Sequence, residues 1–402
     1  MDSFLSEDSP YFRELEVALH AVSVAAVLSL APAVVDELAD DKNVTAEKRD
    51  RTVVTSVDLA IQAVLTQVLS HEFPASRIIA EENADQLRES PPLLDKVHRL
   101  ITTCAQVDAR VWKDWRADLL EDKKEVLRVL DRAVVSKYDP IPENDGSTTW
   151  VIDPIDGTEA YIKGHHYAIN LALLSGSQQA LSVIACPLLD YNHSGHVIDS
   201  QVVTRTYDRS ENGSLFFAVR GCGAYVQRLT HTFQRWSPFN IPRDLSKLSL
   251  DRDDGQRRLT MSYFSGTSGW GTAHVEITNS MKIDPSEISY LTSWVMRWVV
   301  LALGLANFTF WVYREPNRRA KIWDHAGAMM LFEEVGGKIT DIEGKPIDLS
   351  AGALLSKNRG FVAAVEELHP WALGHVQDYL AGTSYPGFWQ ERSSTVTQAS
   401  SE

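Results

Sequence analysis

Cysteine is scarce in this chain. Its 402 residues hold three, Cys104, Cys186 and Cys222, scattered and without a C-x-x-C pair, which leaves no basis for a disulfide framework and suits buried thiols in a reducing, cytoplasmic compartment. Basic charge is short as well. Lys and Arg number 39 against 54 Asp and Glu, a formal net charge of −15, so neither a nucleic-acid polymer nor an anionic lipid surface is an expected partner. Unbroken apolar runs are also lacking. Val17 to Leu38 is rich in Ala, Val and Leu, but Glu14 and Glu16 precede it without a basic stretch, His20 interrupts it and Pro32 breaks it, which predicts a buried helix rather than a signal peptide or a span. Leu291 to Tyr313 is long enough to cross a bilayer, yet Arg297 lies within it and Gly304 to Asn307 divide it; a core helix followed by a central strand is expected, with no membrane partner. No internal repeat is evident, and the length suits one large layered unit or two intimately packed domains.

What the chain does contain is acidic residues in turns. Trp150-Val151-Ile152-Asp153-Pro154-Ile155-Asp156-Gly157-Thr158 sets two carboxylates on a Pro/Gly turn after an apolar strand. Such a turn forms for local reasons alone. Two carboxylates ~4 Å apart, however, repel by ~1 to 4 kcal/mol depending on the effective dielectric, which calls for a neutralising partner. Two further acidic sites bracket the turn, Ala80-Glu81-Glu82-Asn83 after an apolar segment and Lys321-Ile322-Trp323-Asp324-His325-Ala326 at the start of a helical pattern. Oxygen ligands of this kind suit hard cations. Gly157 lets an anion approach the backbone, and the N–H groups after it bind phosphate if a helix starts there.

Around these motifs, Ser56 to Leu69 carries a helical apolar period, and Phe73 to Ala80 reads as a turn and strand that deliver Glu81 at a strand end. Leu119 to Val135 predicts a charged helix. Tyr138 to Ser147 is a linker into strand Thr148 to Ile152. Tyr167 to Leu174, Leu181 to Cys186, Ser214 to Val219, Leu259 to Tyr263 and Phe308 to Tyr313 read as strands, and Trp323 to Val335 as a helix closed by Gly336-Gly337. His193 and His196 fall in a polar stretch and are read as a solvated loop. The expected division is an α+β domain over 1–186, an α/β domain over 187–384 and a Ser/Thr-rich disordered tail over 385–402.

In combination, Glu81-Glu82, the Asp153 to Thr158 turn, and the Trp323 to Ala326 element followed by Glu334-Val335-Gly336-Gly337 resemble the magnesium-dependent, lithium-sensitive phosphatases of the inositol monophosphatase superfamily. Lys48-Arg49-Asp50-Arg51-Thr52-Val53-Val54-Thr55 with Asp58 behind it, Ala218-Val219-Arg220-Gly221 and Lys321 to Ala326 are similar to the 3′(2′),5′-bisphosphate nucleotidase branch; the resemblance runs from about Glu14 to about Ala364. It implies an α/β fold, a layered αβαβα sandwich with the metal site between an α+β part and an α/β part. It also implies that Glu81, Asp153, the Ile155 carbonyl, Asp156 and Asp324 ligate two or three magnesium ions, with no His or Cys to favour zinc. By the same resemblance Thr158 passes the proton of water to Asp50, N–H groups near Gly157 and Thr158 hold the phosphate, and Glu82 is a weaker supporting candidate. The implied activity is release of phosphate from 3′-phosphoadenosine 5′-phosphate to leave AMP. Lithium inhibition is implied as well. Dimers are common in the superfamily, and no motif here decides for or against a homodimer.

The substrate side departs from that pattern. Where the branch has His-Ser-Ser, this chain has Gly266-Thr267-Ser268-Gly269-Trp270-Gly271. In the Asp-Ser-Gln-x-Lys-Tyr element, Thr292, Trp294, Met296 and Arg297 replace all but Ser293, and the following Ala-Asp and Arg become Ala306-Asn307 and Trp311. Ser268, Ser293, Met296 and Arg297 are therefore the candidate substrate residues. Loss of a Lys and an Arg removes charge partners for a second phosphate, while the aromatic residues add apolar area. A small phosphorylated substrate is expected, either the nucleotide or a less charged, bulkier ester. A scaffold recruited to a metal-dependent non-hydrolytic step and a non-catalytic binding protein remain as alternatives.

Overall fold

The computed structural model describes residues 10–30, 45–47, 53–107, 120–133, 138–143, 146–190, 197–199, 213–229, 239–240, 257–262, 271–315 and 318–383. Asp50, Ser268, His193, His196 and the 385–402 tail lie outside the described residues. In chain order the helices are α1 (Phe12–Ser29), α2 (Ser56–Glu72), α3 (Asp85–Glu89), α4 (Pro91–Val107), α5 (Lys123–Arg132), α6 (Thr158–Ile162), α7 (Gly271–Met281), α8 (Trp294–Ala302), α9 (Ala326–Glu334) and α10 (His369–Ala381). The strands are β1 (Thr45–Glu47), β2 (Val53–Thr55), β3 (Arg77–Ala80), β4 (Thr148–Asp156), β5 (Ala168–Ser175), β6 (Gln178–Cys186), β7 (Ser214–Val219), β8 (Gly223–Arg228), β9 (Phe239–Asn240), β10 (Leu259–Met261), β11 (Ile288–Tyr290), β12 (Phe308–Trp311), β13 (Gly337–Thr340) and β14 (Phe361–Val365).

Strand alternation sorts the core into layers, because successive side chains point to opposite faces of a sheet. Seven strands form one sheet in the order β3 to β9, antiparallel except for the parallel pair β3 and β4. One face, with Trp150, Ile152, Leu171, Leu173 and Val183, packs against α1, α2, α4 and α5. The other, with Val151, Ala172, Leu174 and Ile184, packs against α8 and α9. A second sheet of order β11-β10-β12-β14-β13 covers the far side of those two helices, and α7 and α10 cover its outer face through Phe308, Phe310, Val362 and Ala364. The result is the expected αβαβα sandwich.

Val295 to Ala302 are all buried in α8. A helix between two sheets has no wet face, which explains the apolar run from Leu291 without a membrane; no helix among the described residues is long and apolar enough to cross one. The β12 strand that follows is central in its sheet. The domain boundary expected after Cys186 falls inside the first sheet, because β7 pairs with β6 from Cys186↔Ser214 onward.

Candidate active site and metal centre

Glu81 and Asp153 are neighbours because β3 and β4 run parallel with Ala80 opposite Ile152, and the Glu81 N–H donates to the Ile152 carbonyl at 3.3 Å. Past Asp153 the pairing of β4 with β5 shifts register and resumes at Asp156 opposite Ala168. Pro154 lies in that irregularity and has no N–H to give to the ladder. Asp153 and Asp156 then line one cavity of about 310 Å³. Gly157 follows at φ 85°, a left-handed value, and a Cβ there would stand 2.8 Å from the Cβ of Ser293. Glycine alone permits both the turn and the approach.

Asp324 arrives from the other side, at the end of a 3₁₀ turn, Ile322–Asp324, that leads into α9. The first sheet pins this turn. The Asn170 side-chain amide donates to the Trp323 carbonyl at 2.6 Å, and that of Gln179 to the Ala326 carbonyl at 2.5 Å. Oxygens of Asp153, Asp156 and Asp324 lie within 4.8 Å of one another, and Glu81 lines the same cavity.

The electrostatics describe a site short of positive charge. Burial, then the charges of Glu81, Asp156, Asp324 and Asp58, push the Asp153 carboxyl well above the usual carboxylate range. Burial followed by Asp156 and Glu81 raises Asp324, which is partly open to the cavity, to about 8. Burial raises Asp156 to about 6 against the opposing hydrogen bonds of Ser293 and Val295 and the charge of Arg297. Both Asp153 oxygens are buried with no hydrogen-bond partner among the described residues. Asp153 and Asp324 meet carboxylate to carboxylate, a contact that requires a proton or a cation between them. An all-oxygen set with orphaned buried acceptors fits a hard divalent cation such as magnesium.

Asp156 is held from the far half of the molecule. One of its oxygens accepts from the Ser293 hydroxyl and, at 2.7 Å, from the Val295 N–H. It thereby sits at the start of α8, where the helix dipole favours an anion. Ser293 also caps that helix, accepting from the Met296 N–H at 2.9 Å. Three of the sequence-based substrate candidates are accordingly inside the core: Ser293, Met296 and Arg297 are 0%, 0% and 1% exposed. Positions three and four apart share a helix face, and here that face is the buried one, so Thr292 and Trp294 line the cavity in their place. The Arg297 guanidinium stacks behind Trp294, 3.5 Å from the ring centroid, and donates to the Ser293 and Thr292 carbonyls, each at 3.3 Å.

Thr158 opens α6 at the cavity. Its hydroxyl is 3.1 Å from Asp58 Oδ1 and 3.2 Å from the Ile155 carbonyl, alternatives for its single proton. The other Asp58 oxygen accepts from the Thr55 N–H at 2.9 Å and from the Thr55 hydroxyl. Sequence reading treated Asp58 only as part of a pattern. The signal for a second role was the Thr55-x-x-Asp58 spacing, a capping box that turns a carboxylate back over the helix start. Sequence reading also missed Arg318 and Arg319 and quoted Lys321 only as part of the Lys321 to Ala326 element; all three line the cavity together with the acidic residues. Glu82 is buried, its N–H and carbonyl bound to the Gln62 amide.

The inositol monophosphatase family profile matches residues 15–381. The 3′(2′),5′-bisphosphate nucleotidase 1 of Candida albicans is 30% identical over 364 residues, covering 89% of this chain and 93% of that protein. The 3′(2′),5′-bisphosphate nucleotidase of Emericella nidulans is 28% identical over 376 residues, covering 92% and 99%. Among solved structures, the IMPase of Thermotoga maritima superposes with a TM-score of 0.53 at 16% identity over 92% of this chain and 99% of that one. The extragenic suppressor protein SuhB of Bartonella henselae gives 0.53 at 16%, covering 90% and 98%. These structural likenesses bear on the fold.

Proposed function

The chain belongs to the inositol monophosphatase family and is a phosphoric monoester hydrolase, and on that premise we propose that it removes a phosphate from a small nucleoside bisphosphate of the 3′-phosphoadenosine 5′-phosphate kind. The observation that carries the reading is the meeting, in one cavity, of Asp153, Asp156 and Asp324 with a Thr158 hydroxyl bonded to a carboxylate. A non-catalytic binder has no need of that hydroxyl and carboxylate pair.

Glu81, Asp153, the Ile155 carbonyl, Asp156 and Asp324 would hold two or three magnesium ions. Magnesium bound there supplies charge neutralisation and lowers the pKa of water for in-line attack at phosphorus. The protein's own part is positional. Asp58 takes the proton of the Thr158 hydroxyl at 3.1 Å, so the threonine oxygen is turned to accept a proton from the attacking water. Asp50 carries the same proposed role from the resemblance. Backbone N–H groups at Gly157 and Thr158 receive the phosphate oxygens, on a left-handed turn that Gly157 permits. The Ser293 and Val295 bonds fix one Asp156 oxygen, and Oδ1 accepts no hydrogen bond among the described residues.

Purified protein in magnesium is expected to release phosphate from 3′-phosphoadenosine 5′-phosphate, to lose that activity on chelation and to be inhibited by lithium. Silence on nucleotide, inositol and sugar phosphates alike, with magnesium still bound by calorimetry, would overturn the reading.

A further inference from the structure

The cavity lining is chemically mixed. Glu81, Asp153, Asp156 and Asp324 are among its acidic residues, Arg318, Arg319 and Lys321 its basic ones, and Trp294 its tryptophan. No ion pair joins Arg318 to a carboxylate among the described residues, although acidic groups line the same space. Arg319 is steadied by the Arg318 carbonyl at 2.9 Å and the Ser356 carbonyl at 3.3 Å. Two adjacent arginines at a cavity mouth repel unless an anion joins them, and a guanidinium is well suited to phosphate.

The sole arginine of α8 cannot serve that purpose. Arg297 is entirely buried behind Trp294 and bound to backbone carbonyls. What it does is fix the indole. Trp294 has Arg297 against its ring, Trp311 at 5.0 Å, His325 at 4.8 Å and Phe361 at 5.8 Å between centroids. Its rotamer is set by four partners, so what Trp294 offers the cavity is a rigid aromatic surface. Such a surface binds a planar group at little entropic cost.

We propose that Trp294 and the Arg318–Arg319 pair form the leaving-group subsite, selecting a phosphomonoester whose leaving group is both planar and anionic. A nucleotide carrying a second phosphate has this chemistry; an inositol or hexose monophosphate has neither part of it. The reading rests on the phosphatase function proposed above but differs in what it assigns. Charge for the second anion comes from the segment before the 3₁₀ turn, not from α8, and the base meets an indole that α8 supplies.

The test compares adenosine 3′,5′-bisphosphate, adenosine 3′-monophosphate and myo-inositol 1-phosphate in magnesium, on wild type, Arg318→Gln and Trp294→Leu. Arg318→Gln is expected to lower the kcat/KM ratio of the bisphosphate to the monophosphate by about 10- to 100-fold, the worth of a charge-assisted hydrogen bond, mainly through KM. Trp294→Leu should lower the ratio of either adenine ester to inositol phosphate by about tenfold. An equal change for all three esters, or none, would overturn the assignment. Should wild type hydrolyse none of them, hydrolysis of this class is refuted, and equilibrium dialysis of adenosine 3′,5′-bisphosphate then decides the subsite: equal affinity for wild type and Arg318→Gln overturns it, and weaker binding by the variant upholds it.

Discussion

The carboxylates of the cavity and the tryptophan and arginines of its wall are placed on different principles. Each carboxylate is presented by backbone that has little choice: Glu81 just past β3 and Asp153 where the β3–β4 pairing ends, Asp156 at a bulge closed by a left-handed glycine, Asp324 on a pinned 3₁₀ turn. Trp294, Arg318 and Arg319, which line the same cavity, are side chains placed by packing and by a connection between β12 and α9. The first kind of surface is fixed by the backbone of the fold. The second can be rewritten without disturbing the first, so the same proposed centre would serve different esters.

The comparison can be broken first at the carboxylates. Asp153→Asn should lower phosphate release by about 1000-fold or more while raising the melting temperature of the metal-free protein, since Asn is neutral without the proton that Asp153 must take up when buried among other carboxylates; activity within tenfold of wild type would separate the acidic cluster from the chemistry. Thr158→Ala and Asp58→Asn should each cost about 100- to 10,000-fold in kcat, with magnesium affinity by calorimetry retained and the double variant no worse than either single one. Asp58→Asn at full activity would return the proton to Asp50.

A third prediction concerns pH. Asp156 and Asp324 have folded pKa values raised from 3.8 to about 6 and about 8. The folded protein therefore holds more protons than the unfolded chain between those limits, and their contribution to stability falls as pH rises from about 4 to 8. In chelator, denaturation midpoints should decline over that window. Magnesium should abolish the decline and release protons on binding, which a pH-stat reads directly. Smaller effects belong to the second half of the molecule. Ser293→Ala should cost about 1 kcal/mol in denaturant unfolding for the lost helix cap and weaken magnesium binding through Asp156. Smallest is Arg220→Ala, which removes contacts with Glu333 and Gln179 away from the cavity and should leave kcat within about twofold.

Sequence legibility followed the same divide. The Asp153 to Thr158 turn, Glu81 and Asp324 could be read because each depends on a few contiguous residues, and the strands around them show their period in the apolar pattern. The helix over Ser56 to Leu69 continues to Glu72. The wall could not be read this way. That Met296 and Arg297 face inward depends on where α8 begins and on both of its faces being covered, facts of tertiary packing. Counting lost charges along one segment likewise missed Arg318 and Arg319, because cations contributed by a different segment can face the same space. Asp58 was legible as a helix cap, but its partnership with Thr158 spans a hundred residues of sequence.

The hydrogen bonds from Ser293 and Val295 to Asp156 have a mechanical consequence. They tie the end of β4 to the start of α8, the helix layer between the two sheets, so the orientation of one proposed ligand reports how that layer sits on the first sheet. A cation held by Asp156 from the first sheet and Asp324 from the far side would act as a clasp across that junction. Loading and alignment then become a single equilibrium, and hydrogen exchange at the start of α8 should slow on adding magnesium even though no ion touches that helix.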